Sequence, residues 1–204
     1  LSKVFFLDNN PPWDVFEGPL IDTVKSTEPH TLLDDFFLMS GEVPRVTEFE
    51  RGIPIHLSQF YKDDGVTPGE MESDPLIMDD RYLAVRIKGR GVVTFSSCSH
   101  AGIVNIMRDV AESGGQKCFA AMGGFHLSGK GMEALIEDSV AWLKKENILG
   151  DHGFVLPGHC TGWRAKNKLA NAFGDKFQPT SVGATYVFTA AEESPIGVCP
   201  AAPK

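Results

Sequence analysis

Val92-Val93-Thr94-Phe95-Ser96-Ser97-Cys98-Ser99-His100-Ala101-Gly102-Ile103-Val104-Asn105 is the stretch that decides the fold. It opens on β-branched and aromatic residues that suit a strand, passes through a corner of small residues, and enters a helical pattern. Ile103, Ile106, Met107 and Val110 recur at the spacing of one helix face. A strand that runs into a helix through such a corner is the repeating unit of layered α/β domains.

Working outward, Tyr82–Ile87 alternates as a strand and Lys88-Gly89-Arg90-Gly91 supplies a turn, so 82–97 reads as a hairpin. Downstream, Lys117–Met122 reads as a strand ending at Gly123-Gly124. Met132, Leu135, Ile136, Val140 and Leu143 mark a second amphipathic helix. Gly153–Leu156 gives another strand before Pro157-Gly158, 163–173 a further helix, and Ala184–Phe188 a last strand. Upstream, Asp35–Ser40 reads as a short buried strand. Residues 50–76, rich in Gly, Pro, Asp and Glu, read as a long loop. Pro11, Pro12, Pro19 and Pro29 interrupt residues 1–30. No internal repeat is visible. The expected fold class is α/β, a mixed sheet with flanking helices.

Bulk properties narrow the function. The 204 residues are 42% hydrophobic and 23% charged, with fourteen Phe and three Trp, enough for one packed core. A formal net charge of −8 argues against binding nucleic acid or anionic membranes through a general positive field. No apolar run approaches the roughly 20 residues that span a bilayer, and the apolar stretch within Leu1–Asp8 is too short for a secretory signal. Cys98, Cys118, Cys160 and Cys199 are widely spaced without a C-x-x-C pair. That usage favours a reducing, cytoplasmic setting, although an even number leaves disulfides open.

Three of the strands end in a corner that carries a histidine: Ser96-Ser97-Cys98-Ser99-His100-Ala101-Gly102, Gly123-Gly124-Phe125-His126-Leu127 and Pro157-Gly158-His159-Cys160-Thr161-Gly162. Strand ends are where layered α/β folds bind ligands, and small residues there admit a close approach. Neutral imidazoles converging on one edge are a common recipe for zinc. One histidine so placed is more often a hydrogen-bonded structural residue; three in the same topological position point to a site. His30, His56 and His152 lack this framing and read as surface or capping residues.

These residues carry a resemblance. The Cys98-Ser99-His100-Ala101-Gly102-Ile103-Val104-Asn105 run resembles a signature of the dihydropterin ribofuranosylaminobenzene phosphate synthase-like branch of the metallo-β-lactamase fold. Gly123-Gly124-Phe125-His126-Leu127 and His159-Cys160-Thr161-Gly162 are similar to two more of its motifs, in the same order. Ser40-Gly41-Glu42-Val43-Pro44-Arg45 and the acidic Asp79-Asp80-Arg81-Tyr82-Leu83 are similar to two others. The likeness covers roughly 28–188. Two departures stand out: Ser97 occupies a position where the branch usually has Gly, and the His-x-His-x-Asp-His run of the fold's N-terminal half is absent.

The resemblance implies part of an αββα sandwich. Residues 1–27 are then an irregular N-terminal segment, 28–189 the C-terminal part of the domain, and 190–204 a flexible tail. It implies a truncated or processed form, or a half-fold completed by a second polypeptide segment. It also implies one or two zinc ions, with manganese or iron as alternatives, in a hydrolase of esters, lactones or phosphoesters that uses metal-bound hydroxide. A transferase variant is compatible. His100 and His159 are the leading metal ligands. Cys98 reads equally as a ligand or a buried small hydrophobe. His126 reads as a third ligand or, in preference, as a substrate-side acid/base group. Thr161 reads as an anion-binding position at a helix N-terminus or simply an N-cap, and Arg45 as a substrate contact or a surface ion pair. A small-molecule substrate is expected, with neither nucleic acid nor membrane as partner. Two other classes compete: a non-catalytic binding or assembly subunit, and a Cys–His hydrolase using Cys98 or Cys160, which lacks a nucleophile elbow.

Overall fold

The computed structural model describes residues 18–19, 21, 23–24, 26–62, 67–114 and 117–191. The segments 1–27 and 190–204, expected to be irregular, lie largely outside the described residues.

Among the described residues, eight strands and three α-helices follow in order: β1 (His30–Leu32), β2 (Phe37–Met39), β3 (Leu57–Tyr61), β4 (Pro68–Ser73), β5 (Tyr82–Ile87), β6 (Gly91–Ser96), α1 (Ile103–Gly114), β7 (Cys118–Gly124), α2 (Ile136–Leu143), β8 (Phe154–Gly158) and α3 (Trp163–Phe173). A 3-10 turn at Met132–Leu135 leads into α2, which is why the sequence reads as one longer helix there. The main sheet has the order β1-β2-β5-β6-β7-β8. Pairing is antiparallel from β1 to β6 and parallel from β6 to β8. The fold is the mixed α/β arrangement expected from the alternating pattern.

Period-2 alternation sorts side chains onto two faces. On one, Tyr82, Ala84, Val92, Cys118, Ala121 and Val155 pack against Ile103, Ile106, Met107 and Val110 of α1, Val140 and Leu143 of α2, and Leu169 and Phe173 of α3. On the other, Val85, Val93, Ala120, Phe154 and Leu156 are buried, with Phe37, Ile87, Phe95, Phe119 and Met122 half-buried around them. Tyr186 and Phe188 lie across this second face. The Phe119 ring meets Phe154 at 5.5 Å and Phe188 at 6.2 Å, both edge-on.

The structure corrects three expectations. Residues 50–76 are not one loop, because β3 and β4 pair there as a separate hairpin with a bulge between Gln59 and Tyr61. The strand at 35–40 is shorter and half-buried rather than buried, because it pairs with β1 near the sheet's edge. Ala184–Phe188 is not a strand: 184–190 alternates between half-buried and exposed, but it lies over the sheet without joining a ladder among the described residues.

Asn105 and Glu50 join the irregular segment 45–51 to α1. The Asn105 Oδ1 accepts from the N–H groups of Val46 (3.0 Å) and Thr47 (2.9 Å), while Nδ2 donates to the carbonyls of Glu50 (3.0 Å) and Ala101 (2.7 Å). The buried Glu50 carboxyl accepts from the N–H groups of Val104 and Asn105 and from Ser139 Oγ, so it caps the first turn of α1. Gly102, with φ +98°, makes room for it: a Cβ there would come within 2.2 Å of Glu50 Oε2.

Candidate metal centre

Because β6, β7 and β8 run parallel and adjacent, their C-terminal ends leave one edge of the sheet side by side. Ser96 is paired with Gly123, and Gly124 with Gly158. The three corners are then bonded to one another. Ser99 Oγ reaches the Gly124 carbonyl at 2.6 Å and shares a 2.6 Å hydrogen bond with Ser96 Oγ. The Gly124 N–H donates to Ser97 O, and Gly162 N–H to Leu127 O. Phe125 N–H donates to the buried Thr161 Oγ1 at 2.9 Å, and Cys160 Sγ donates to the Cys98 carbonyl at 3.3 Å. Glycine is required at the centre. A Cβ on Gly124 would meet Ser97 O at 2.5 Å, Cys160 Sγ at 2.7 Å and His159 Nδ1 at 3.2 Å.

Two of the three histidines sit on unusual backbone. His126 has φ +48° and His159 φ +45°, and Ser99 beside His100 has φ +60°. A non-glycine residue in the left-handed region costs roughly 1 kcal/mol and persists only where its surroundings hold it. Here the inter-corner hydrogen bonds do so.

The site has two groups of donors. Cys98, His159 and Cys160 each offer a ligand atom within 4.8 Å of the others, and so do Asp79, Asp80 and His100. In the first group Cys98 Sγ lies 3.4 Å from His159 Nδ1. Burial, then the neighbouring Cys160, pushes the Cys98 thiol up to about 11. In the second, His100 Nδ1 is 2.8 Å from Asp79 Oδ1, and Asp80 Oδ1 lies at 4.0 Å. The Asp79 hydrogen bond is the main reason the His100 pKa is raised. Asp80 is buried; one oxygen accepts the Ala101 N–H, and burial raises its pKa. His126 stands next to His100, ring centroids 4.9 Å apart and planes at 74°. Burial, followed by the proximity of His100 and His159, lowers its pKa and so favours the neutral imidazole.

A cation is consistent with this donor chemistry, because two buried atoms of the cluster lack any hydrogen-bond partner: Asp80 Oδ1 and His126 Nδ1. Such orphaned groups are costly unless something completes them. Two thiols and an imidazole on one side, carboxylates and an imidazole on the other, suit a borderline-soft divalent ion.

Of the residues singled out in the sequence, Cys98, His100, His126 and His159 gather at this edge. Thr161 and Arg45 are engaged with the main chain. Thr161 accepts the Phe125 N–H, and the N-cap of α3 is Gly162, without a side-chain bond. Arg45 donates to the carbonyls of His100 (2.8 Å), Leu76 and Ile77, and so clamps the His100 corner to the 76–78 segment. Sequence reasoning placed Cys160 only in a nucleophile role and used Asp79 and Asp80 only as part of the acidic motif just before β5, without a role at the site. A groove of about 420 Å³ between β2, β5, β6 and α1, lined by Phe36, Leu38, Tyr82 and Val110 among others, contains none of these groups.

The geometry matches a known architecture. The crystal structure of a metal-dependent hydrolase of the β-lactamase superfamily superposes with a TM-score of 0.60 at 25% identity, over 79% of this chain and 56% of that one. The chain shares the fold of the metallo-β-lactamase superfamily. It is also 31% identical over 164 residues to the 7,8-dihydropterin-6-methyl-4-(β-D-ribofuranosyl)-aminobenzene-5′-phosphate synthase of Methanocaldococcus jannaschii, covering 78% of this chain and 51% of that protein. An uncharacterized protein of the same organism is 30% identical over 146 residues, covering 70% of this chain and 46% of its own length. No family model matches the sequence. The chain spans about half the length of these relatives. Both relatives whose names state an activity, the hydrolase and the synthase, are enzymes. Among the described residues, no helix is long and apolar enough to cross a membrane.

Proposed function

We propose that this chain supplies one edge of the site of a zinc-dependent hydrolase acting on an ester, lactone or phosphoester. The observation that carries the reading is the convergence of His100, His126, His159 and Cys98 on three hydrogen-bonded corners, with Asp80 Oδ1 and His126 Nδ1 left without partners. His100, His159 and Cys98 would hold the ion, with Asp79 orienting His100. A zinc ion held there would supply Lewis-acid chemistry, making water a better nucleophile and polarising a carbonyl or phosphoryl oxygen. Neutral His126 is suited to hold or pass a proton at Nδ1. Arg45 and Thr161 keep the corners in register through their main-chain bonds. The remaining ligands of the superfamily's site, the His-x-His-x-Asp-His set, would come from another segment, and a small molecule is the substrate.

The synthase relative favours a second reading, in which a group other than water takes the transferred fragment. Equilibrium dialysis of the purified protein against zinc, followed by elemental analysis, tests the metal assignment. His100→Ala and His159→Ala should each bind less zinc, and His126→Ala should lose more turnover than zinc. Turnover on a panel of esters, lactones and phosphoesters should stop with chelator and return with zinc or manganese. Equal zinc in all three variants would remove the metal from this edge. Activity that survives chelator but not thiol alkylation would move the chemistry to cysteine. A product carrying an acceptor other than water would favour the transferase reading, and a metal-loaded but inert protein would favour a binding subunit.

A further inference from the structure

We propose that Cys98 and Cys160 form a reversible disulfide that joins the β6 and β8 corners and takes both sulfurs out of the donor set. The two thiols come from different corners, 62 positions apart in sequence, yet their sulfurs lie within 4.8 Å of each other. Cys160 Sγ already rests over the Cys98 main chain, donating to its carbonyl at 3.3 Å. Both side chains are half-exposed, so an oxidant can reach them. Gly124 is what lets them approach, since a side chain there would stand 2.7 Å from Cys160 Sγ. Closing to the ~2.05 Å of a disulfide asks each side chain to give up one weak contact. For Cys160 this is the S–H···O bond, and for Cys98 the contact with His159 Nδ1.

The co-reactant is a low-molecular-weight disulfide such as oxidised glutathione. One protein sulfur, as thiolate, attacks a glutathione sulfur and expels one glutathione thiolate. The second protein sulfur then attacks the mixed disulfide and expels the other. Two protein S–H bonds are lost, one S–S bond forms, and the two electrons reduce the oxidant to two thiols. A disulfide sulfur is a far poorer cation ligand than a thiolate, so oxidation leaves His159 as the one strong donor of its group. The reaction does not depend on what the site catalyses.

Chelator-treated full-length protein, incubated over a range of oxidised-to-reduced glutathione ratios and quenched by alkylation, tests the proposal. Intact mass should fall by two hydrogens, two thiols should become unavailable to alkylation, and non-reducing peptide maps should link Cys98 to Cys160. A dithiol should reverse all three. Cys118, buried and donating to Met107 O at 3.5 Å, should stay reduced and serves as the internal control. Cys98→Ser and Cys160→Ser should each abolish the link. The oxidised protein should also bind zinc more weakly than the reduced protein, a readout that needs no substrate. A link through Cys118 or Cys199, a mixed disulfide that persists on one sulfur, or no oxidation at all would overturn the proposal.

Discussion

Asp79 and Asp80 are neighbours with different tasks. Asp80 is buried and fixes the His100 corner through the Ala101 N–H; Asp79 is exposed and takes the His100 Nδ1. A carboxylate on one imidazole nitrogen sets the ring's orientation and leaves the other nitrogen as the donor to a cation. Asp79→Asn keeps an acceptor in place but removes its charge. Zinc affinity should then fall about 10–100-fold, with thermal unfolding of the metal-free protein unchanged because the side chain is on the surface. A competition titration with a chelating dye measures the first and calorimetry the second. Unchanged affinity would separate Asp79 from the site.

At the level of the element, α1 starts where a buried acid caps it. Burial raises the Glu50 pKa from 4.5 to about 7, against the three donors that favour its ionised form. A folded-state pKa above the unfolded one means that the folded chain keeps a proton the unfolded chain has released. Stability from this group is therefore full below about pH 4.5, is lost as pH rises towards 7, and is constant beyond. A shift of that size corresponds to about 3 kcal/mol. Urea melts of the parent against Glu50→Gln between pH 4.5 and 8 should show this decline in the parent and not in the variant. Parallel curves would mean that Glu50 titrates alike in both states. Glu50 also marks where sequence reasoning stops. A lone acid in a Pro- and Gly-rich stretch reads as solvated, and it is buried by contacts 54 and 55 residues away that no local pattern announces. The corners were legible for the opposite reason: small residues and a histidine closing a β-branched run are a local signal. The β3–β4 hairpin was hidden because most of its side chains are exposed, which leaves no alternation to read.

At the scale of the whole molecule, the main six-stranded sheet has two unequal faces. Helices cover one, whereas an extended segment bearing Tyr186 and Phe188 crosses the other and leaves Phe95, Phe119 and Met122 half-buried. This is the face that the half-fold reading expects another polypeptide segment to cover. Because Phe188 is itself half-buried, Phe188→Ala should lower unfolding free energy by about 2 kcal/mol, less than full truncation of a core ring. It should also raise the fluorescence of a dye that binds apolar surface. Denaturant melts and dye titration of the two proteins decide this, and no change in either would mean that Phe188 does not shield the face. The segment from 185 to 190 has a further property. Its side chains alternate like those of a strand, while its amides donate to no main-chain carbonyl among the described residues. Side-chain shielding and amide protection, which coincide in β6, come apart here. In deuterated solvent the segment should take up label on the timescale of an open loop while the rings it carries remain anchored. A second segment that pairs with it would be recorded first as a slowing of that exchange.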